Sequence, residues 1–212
     1  MGSYSVPLNE IRREQAVLNS RFNATLAPVF SIDEARAFLT RIKKEFADAS
    51  HNVPAYIIGG GNTITKYFSD DGEPSGTAGK PVLAVLRGSG FGDVAVVVTR
   101  YFGGTLLGTG GLVKAYTQST QLVVNAVARG RRVRAHVALI AIPYNLLERV
   151  RLLVMRQRGE VLGEDYAADI TMTLQFPIDS FDAFQNELRE MSAGKLKAEV
   201  IESKETIAPV GS

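Results

Sequence analysis

The chain contains no cysteine and no tryptophan, and only two histidines among its 212 residues. The missing cysteine excludes disulfides, thiolate nucleophiles and sulfur-ligated zinc together, and it agrees with a reducing compartment. Imidazole chemistry is restricted to His51 and His136. Long hydrophobic runs are also absent. Stretches such as 94–99 and 137–142 fall far short of the ~20 apolar residues that a spanning helix requires. The N-terminus lacks the apolar core of a signal peptide, and Val6 stands where a myristoylation motif needs Ser or Thr. A cytoplasmic protein without a membrane partner is expected.

Strong charge of one sign is lacking too, since the formal net charge is only +2. Its distribution is uneven. Residues 1–133 hold 15 Lys/Arg against 10 Asp/Glu, whereas residues 134–212 hold 9 against 12. A mildly basic first part permits contact with nucleic acid, although ordinary surface charge accounts for the same numbers. With 45 % hydrophobic residues, the chain has enough apolar material for one or two cored domains.

What is present is concentrated in residues 96–116, VVVTRYFGGTLLGTGGLVKAY. A β-branched run passes through Arg100, Tyr101 and Phe102 into a loop carrying Gly103, Gly104, Gly108, Gly110 and Gly111. A helical pattern then runs to about Ala128. Strand, glycine loop and helix together place bare N–H groups at the positive end of a helix, which suits a phosphate or carboxylate. The spacing matches neither well-known phosphate motif, because Leu112 and Val113 follow Gly111 where a P-loop has Lys and Ser/Thr. Glycines serving only tight turns and close packing give the same pattern. Lys114 is expected in the first helical turn, where only an intervening anion makes it favourable.

Before this stretch, short antiparallel strands are expected over 3–6, 11–18 and 22–29. Ser31-Ile32-Asp33-Glu34 reads as a capping box that opens a helix to about Ala49. Strands at 55–58 and 63–68 flank a Gly59-Gly60-Gly61-Asn62 turn. The acidic loop 69–81, SDDGEPSGTAGKP, follows, with Pro81 in the first turn of a helix that stops at Gly88. Asp70, Asp71 and Glu73 offer hard oxygen ligands to Mg²⁺, or form an ordinary solvated turn. Ser75 and Thr77 are hydroxyl groups in search of a base. His51, beside Asn52, could converge on them or serve as a turn residue, and His136 reads as structural.

Arg21, and Arg100 with its two aromatic neighbours, combine guanidinium with aromatic faces. That combination suits single-stranded nucleic acid or a protein hot spot. The structural alternative pairs Arg100 with the acidic loop. Beyond a linker at Arg129-Gly130-Arg131-Arg132, the pattern becomes β-α-β-β-α-β, a ferredoxin-like split βαβ. The domains expected are 1–130 and 134–204, with a loose tail over 205–212.

The two long motifs, SDDGEPSGTAGKP and VVVTRYFGGTLLGTGGLVKAY, resemble the IMPACT/YigZ family in order and separation. Ser20-Arg21-Phe22 and His51-Asn52 resemble its shorter motifs. Val53 and Pro54 stand where members often carry Cys and an aromatic, so no thiol role carries over. The resemblance implies an α+β protein of two domains. The first is a mixed βαβ domain similar to ribosomal-protein and RNase-PH-type folds. The second is a ferredoxin-like domain similar to one of elongation factor G. The eukaryotic relatives regulate translation by competing for a ribosome-associated kinase activator. The resemblance implies a link to translation, and the missing nucleophile–base pair favours a non-catalytic, translation-associated regulator. Its partner would be RNA, the ribosome or a ribosome-bound protein, and no cofactor and no metal are expected. The alternative is an enzyme or small-anion binder at the glycine loop, with Mg²⁺ on the acidic one.

Overall fold

The computed structural model describes residues 4–60 and 63–210. Ser3, at the start of the first expected strand, and Gly61-Asn62 of the expected hairpin turn lie outside them. The chain divides into two compact units, 1–131 and 132–212.

The first unit contains β1 (Val6–Pro7), β2 (Ile11–Val17), β3 (Ser20–Pro28), α1 (Ile32–Glu45), β4 (His51–Gly60), β5 (Thr63–Phe68), α2 (Gly79–Ser89), β6 (Val94–Tyr101) and α3 (Gly108–Ala126). Its sheet has the order β2-β3-β6-β4-β5, and every neighbouring pair is antiparallel. The expected βαβ arrangement therefore takes the split form, in which β3-α1-β4 brackets β6 and β5-α2-β6 brackets β4.

Strand β6 is apolar from Val94 to Val98 because both of its faces are covered there. Val94, Val96 and Val98 point into the core beneath α2 and α3, with Phe22, Leu26, Val53 and Tyr116. Ala95 and Val97 face α1, through Ala35, Phe38 and Ile42. Helix α1 opens as expected. The Ser31 hydroxyl accepts from the Glu34 N–H at 3.1 Å, and the Glu34 carboxylate accepts from the Phe30 N–H at 2.9 Å.

Strand β1 lies at Val6–Pro7 and not over 3–6, α1 ends at Glu45 and not near Ala49, and three further boundaries that bear on the site differ from expectation. Helix α2 continues past Gly88 to a C-cap at Gly90, whose φ of 76° needs glycine. Strand β4 begins at His51, so His51 and Asn52 belong to the sheet and not to a junction before it. Helix α3 begins at Gly108, which places Gly108, Gly110 and Gly111 in its first turn and Lys114 in its second. Tertiary packing through Leu112, Ala115 and Tyr116 carries the helix back over these poor helix formers.

The expected linker residues Arg129–Arg132 are the start of β7 (Arg129–Ile142). Its first residues pair with β1 inside the first unit, where Val6 faces Gly130. The rest of β7 belongs to the second unit, with α4 (Leu147–Arg156), β8 (Glu160–Tyr166), β9 (Ile170–Pro177), α5 (Ile178–Met191) and β10 (Glu199–Pro209). The sheet order β8-β9-β7-β10 is that of the ferredoxin-like split βαβ. Ile140, Met172 and Phe176 form its core with Val150, Val154, Phe184 and Leu188 from the two helices. The stretch expected as a tail from 205 onward is strand as far as Pro209, because the long β7 offers it an edge to pair with. Gln175 donates to Thr206 there.

Candidate functional site

Three strands bring a row of side chains to one end of the first unit. Phe22 of β3 and His51 of β4 are both register partners of Arg100 on β6. Arg100 has the same parity as Val94, Val96 and Val98, so it points inward beneath the helices. It is only 5 % exposed. A guanidinium there requires a partner, and the acidic loop supplies one. Arg100 Nη1 donates to Glu73 Oε1 at 2.8 Å, and the Tyr116 hydroxyl donates to the same oxygen at 2.7 Å. Glu73 is itself 7 % exposed. Arg100 Nη2 reaches Ser20 Oγ at 3.4 Å, and the Phe22 ring lies 5.5 Å from the guanidinium carbon. Arg100 Nε is buried and has no hydrogen-bond partner among the described residues. Burial, then the bond to Glu73, pushes the Tyr116 hydroxyl pKa far up, so it stays a donor.

His51 closes this cluster. Its Nε2 lies 3.8 Å from Glu73 Oε1, and its Nδ1 lies 2.8 Å from the Asp71 carbonyl oxygen, which accepts the Nδ1 proton. Asp71 and Gly72 turn the loop back over the ring with φ of 46° and 87°.

The other acidic side chains diverge from Glu73. Asp70 accepts from the N–H groups of Gly76, Ala78 and Gly79 at 2.9, 3.1 and 2.8 Å, and so caps α2 from eight residues upstream of the helix's cap position. Burial alone would raise its pKa, but the three amide donors outweigh it and hold the carboxyl below its ordinary value. Asp71 accepts from the Asn52 N–H at 2.7 Å and pairs with Lys43 at 3.1 Å. Asn52 is buried, accepts from Thr99 and donates to the Phe46 carbonyl. The Thr77 hydroxyl donates to the Pro74 carbonyl, while Ser75 is exposed. The convergence of carboxylates that Mg²⁺ needs is therefore not made. Among the described residues no group of three or more His, Asp or Glu is placed to hold a metal ion.

A second set of residues faces outward at the same end. Arg21 is the register partner of Tyr101 and stacks 4.4 Å over its ring, while pairing with Glu14 at 3.7 Å. Burial and a 2.8 Å bond donated to Asp48 raise the Tyr101 pKa. Phe102 is 46 % exposed and Leu106 is 85 % exposed. The loop that carries them is pinned to the β2–β3 turn, where Asn19 donates to Thr105 at 3.1 Å. At Gly103 any Cβ would stand 1.9 Å from the Asn19 carbonyl oxygen, so glycine is required there. Leu18, in that turn with φ of 52°, is exposed as well. Gly104, Gly108, Gly110 and Lys114 are all exposed, with Gly111 partly so.

The sequence-derived residues thus separate into a buried cluster and an outer rim. Glu73, Arg100 and His51 meet around Tyr116. Arg21, Tyr101 and Phe102 line the rim with Leu18 and Leu106, which the sequence reading passed over. Their signal was an apolar residue in a turn and a Leu106-Leu107 pair inside a glycine run. Only Leu107 packs against the core.

Comparison with known proteins follows the two units. Residues 18–124 match the family described as "Impact N-terminal domain", and residues 140–195 match "Domain of unknown function (DUF1949)". An "IMPACT family member" of Haemophilus influenzae is 36 % identical over 203 residues, covering 95 % of this chain and 98 % of that protein. "IMPACT family member YigZ" of Escherichia coli is 34 % identical over 203 residues, covering 95 % and 100 %. A solved structure titled "Crystal structure of an hypothetical protein" is 34 % identical, with a TM-score of 0.61 over 95 % of this chain and 98 % of that one. No helix among the described residues is long and apolar enough to cross a membrane.

Proposed function

The chain belongs to the IMPACT family, and from that premise we propose that it is a non-catalytic translation regulator that binds a ribosome-associated protein through the outer rim of the first unit. The observation that carries this reading is a division of labour. The rim leaves Phe102 and Leu106 open to solvent beside the Arg21–Tyr101 stack, while Arg100 is withdrawn into a buried pair with Glu73. An arginine stacked on a tyrosine is the composition of a protein hot spot, and Phe102 and Leu106 add exposed apolar area beside it. A phosphate-binding face needs several free cations, and Arg21 already faces Glu14.

The test is ribosome co-sedimentation at low and moderate salt, with unwashed and high-salt-washed ribosomes, beside a Phe102→Ala/Leu106→Ala variant. The expected result is pelleting with unwashed ribosomes that persists at moderate salt and is lost in the variant. Pelleting with washed ribosomes that collapses with salt would move the reading to RNA. No pelleting under any condition would end it.

The second reading, a small anion at residues 108–111, retains one favourable observation. The first turn of α3 has neither an acidic residue nor a side-chain cap. Inorganic phosphate titrated against amide chemical shifts would displace Gly110 and Gly111 under this reading and leave them unmoved under the first.

A further inference from the structure

A groove of about 750 Å³ runs along the outer surface of the first unit, between α2 and α3. One wall repeats at the helical interval through Pro81, Ala84, Val85 and Gly88, and the other through Val113, Thr117, Gln121 and Asn125. The walls are small and mostly apolar, and Ala84, Gly88, Val113 and Gln121 are exposed. Gly88 is informative. A Cβ there would meet nothing within 4 Å, so neither packing nor backbone geometry requires glycine inside this helix. Glycine in such a position is a poorer helix former than alanine, and what it provides is a low wall against which another backbone can approach closely.

The charge around the groove has one sign. The helices forming it carry Lys80, Arg87 and Lys114 and contain no Asp or Glu. None of the three cations has a carboxylate within ion-pair distance among the described residues. Helix α2 is 11 residues long, which makes it ~16 Å from end to end at the α-helical rise.

We infer that this groove receives an amphipathic helix of a protein partner, about three turns long, with an apolar edge and an acidic flank. The apolar edge lies between Ala84–Gly88 on one side and Val113–Gln121 on the other. The acidic flank meets Lys80 at the mouth, with Arg87 and Lys114 on the outer faces. Nucleic acid is the poorer occupant, because the lining is mostly hydrocarbon and amide with a single cation, Lys80. The inference goes beyond the rim reading and does not depend on it, since the two surfaces share no residue.

The test selects 14-residue helical peptides from a display library against the whole protein. The peptides have apolar residues at i, i+3, i+4 and i+7, with flanking positions drawn equally from Glu and Lys. The counter-target is the Ala84→Glu variant, whose new carboxylate sits at an exposed position of a helix where Glu is well tolerated. The expected result is enrichment of Glu-flanked peptides. They should bind at least tenfold more tightly than their Lys-flanked counterparts, shift the amides of Val85, Val113 and Gln121, and lose at least tenfold to Ala84→Glu. Four results would overturn the inference. They are equal enrichment of both charges, no loss to Ala84→Glu, stronger shifts of the same amides with a single-stranded oligonucleotide, and concentration-dependent self-association abolished by Ala84→Glu. Loss of ribosome pelleting by Phe102→Ala/Leu106→Ala reports on the rim alone, so failure of one surface is told apart from failure of the other.

Discussion

Glu73 neutralises Arg100, the arginine directed beneath the helices, so the sharpest perturbation is Glu73→Gln, which preserves its size and removes its charge. In the native protein one carboxylate oxygen receives both Arg100 Nη1 and the Tyr116 hydroxyl. After substitution the guanidinium remains buried without a counter-charge, and its Nε already lacks a protein partner. Breaking a buried pair from one side costs about 3–5 kcal/mol, against a usual total of about 5–15 kcal/mol. For a chain of this size that lowers the thermal midpoint by about 2–4 °C per kcal/mol. Replacing both partners by apolar residues, as Glu73→Leu/Arg100→Met, removes the stranded charge. The remaining cost is then that of the Tyr116 hydroxyl left without its acceptor, about 1–3 kcal/mol. Urea denaturation followed by circular dichroism measures each variant, and hydrogen exchange at the amides of β6 locates the loss in the first unit. A cost under about 1 kcal/mol for Glu73→Gln, or a double variant as costly as its two single variants summed, would refute the reasoning.

Three further outcomes follow from the same geometry. Asp70→Ala should destabilise α2 by about 0.5–2 kcal/mol, the usual range for a lost N-terminal cap, measured by denaturant midpoint. Because the folded-state pKa of Asp70 is lowered, its contribution is present above the unfolded pKa and lost as pH falls through the folded one, so Asp70→Ala should also flatten the acid side of the stability profile. In the second unit, Arg151 and then Tyr166 hold the Glu164 carboxyl down at about 2. Glu164→Gln should therefore lower stability at neutral pH and remove the share of the acid-side decline that Glu164 contributes between pH ~4.5 and ~2, followed by thermal melts across that window. Gly103→Ala should force the β2–β3 turn away from the loop, because the new Cβ meets the Asn19 carbonyl. A cost of about 1–3 kcal/mol is expected, with amide shifts at Asn19 and Thr105.

The difference between what could be read along the chain and what could not has a physical cause. The β6 run was legible as a central strand because continuous apolar residues are required only where both faces are covered, and α1 lies on one side with α2 and α3 on the other. The β-α-β-β-α-β order of the second unit was legible because its periodicities are local. The acidic loop was not, because each carboxylate is committed to a different element. Asp70 belongs to α2, Asp71 to β4, and Glu73 to side chains 27 and 43 residues away. One long-range clue was nevertheless available. Val94, Val96, Val98 and Arg100 alternate on a single face, so a strand buried there must bury a guanidinium, and a buried guanidinium demands an acid. The only acidic cluster between β5 and β6 was the loop 69–81. Parity therefore turns Arg100 inward to Glu73, and it leaves the side chains of the opposite parity, Arg21 and Tyr101, and those beyond the strand's end, Phe102 and Leu106, on the outer side.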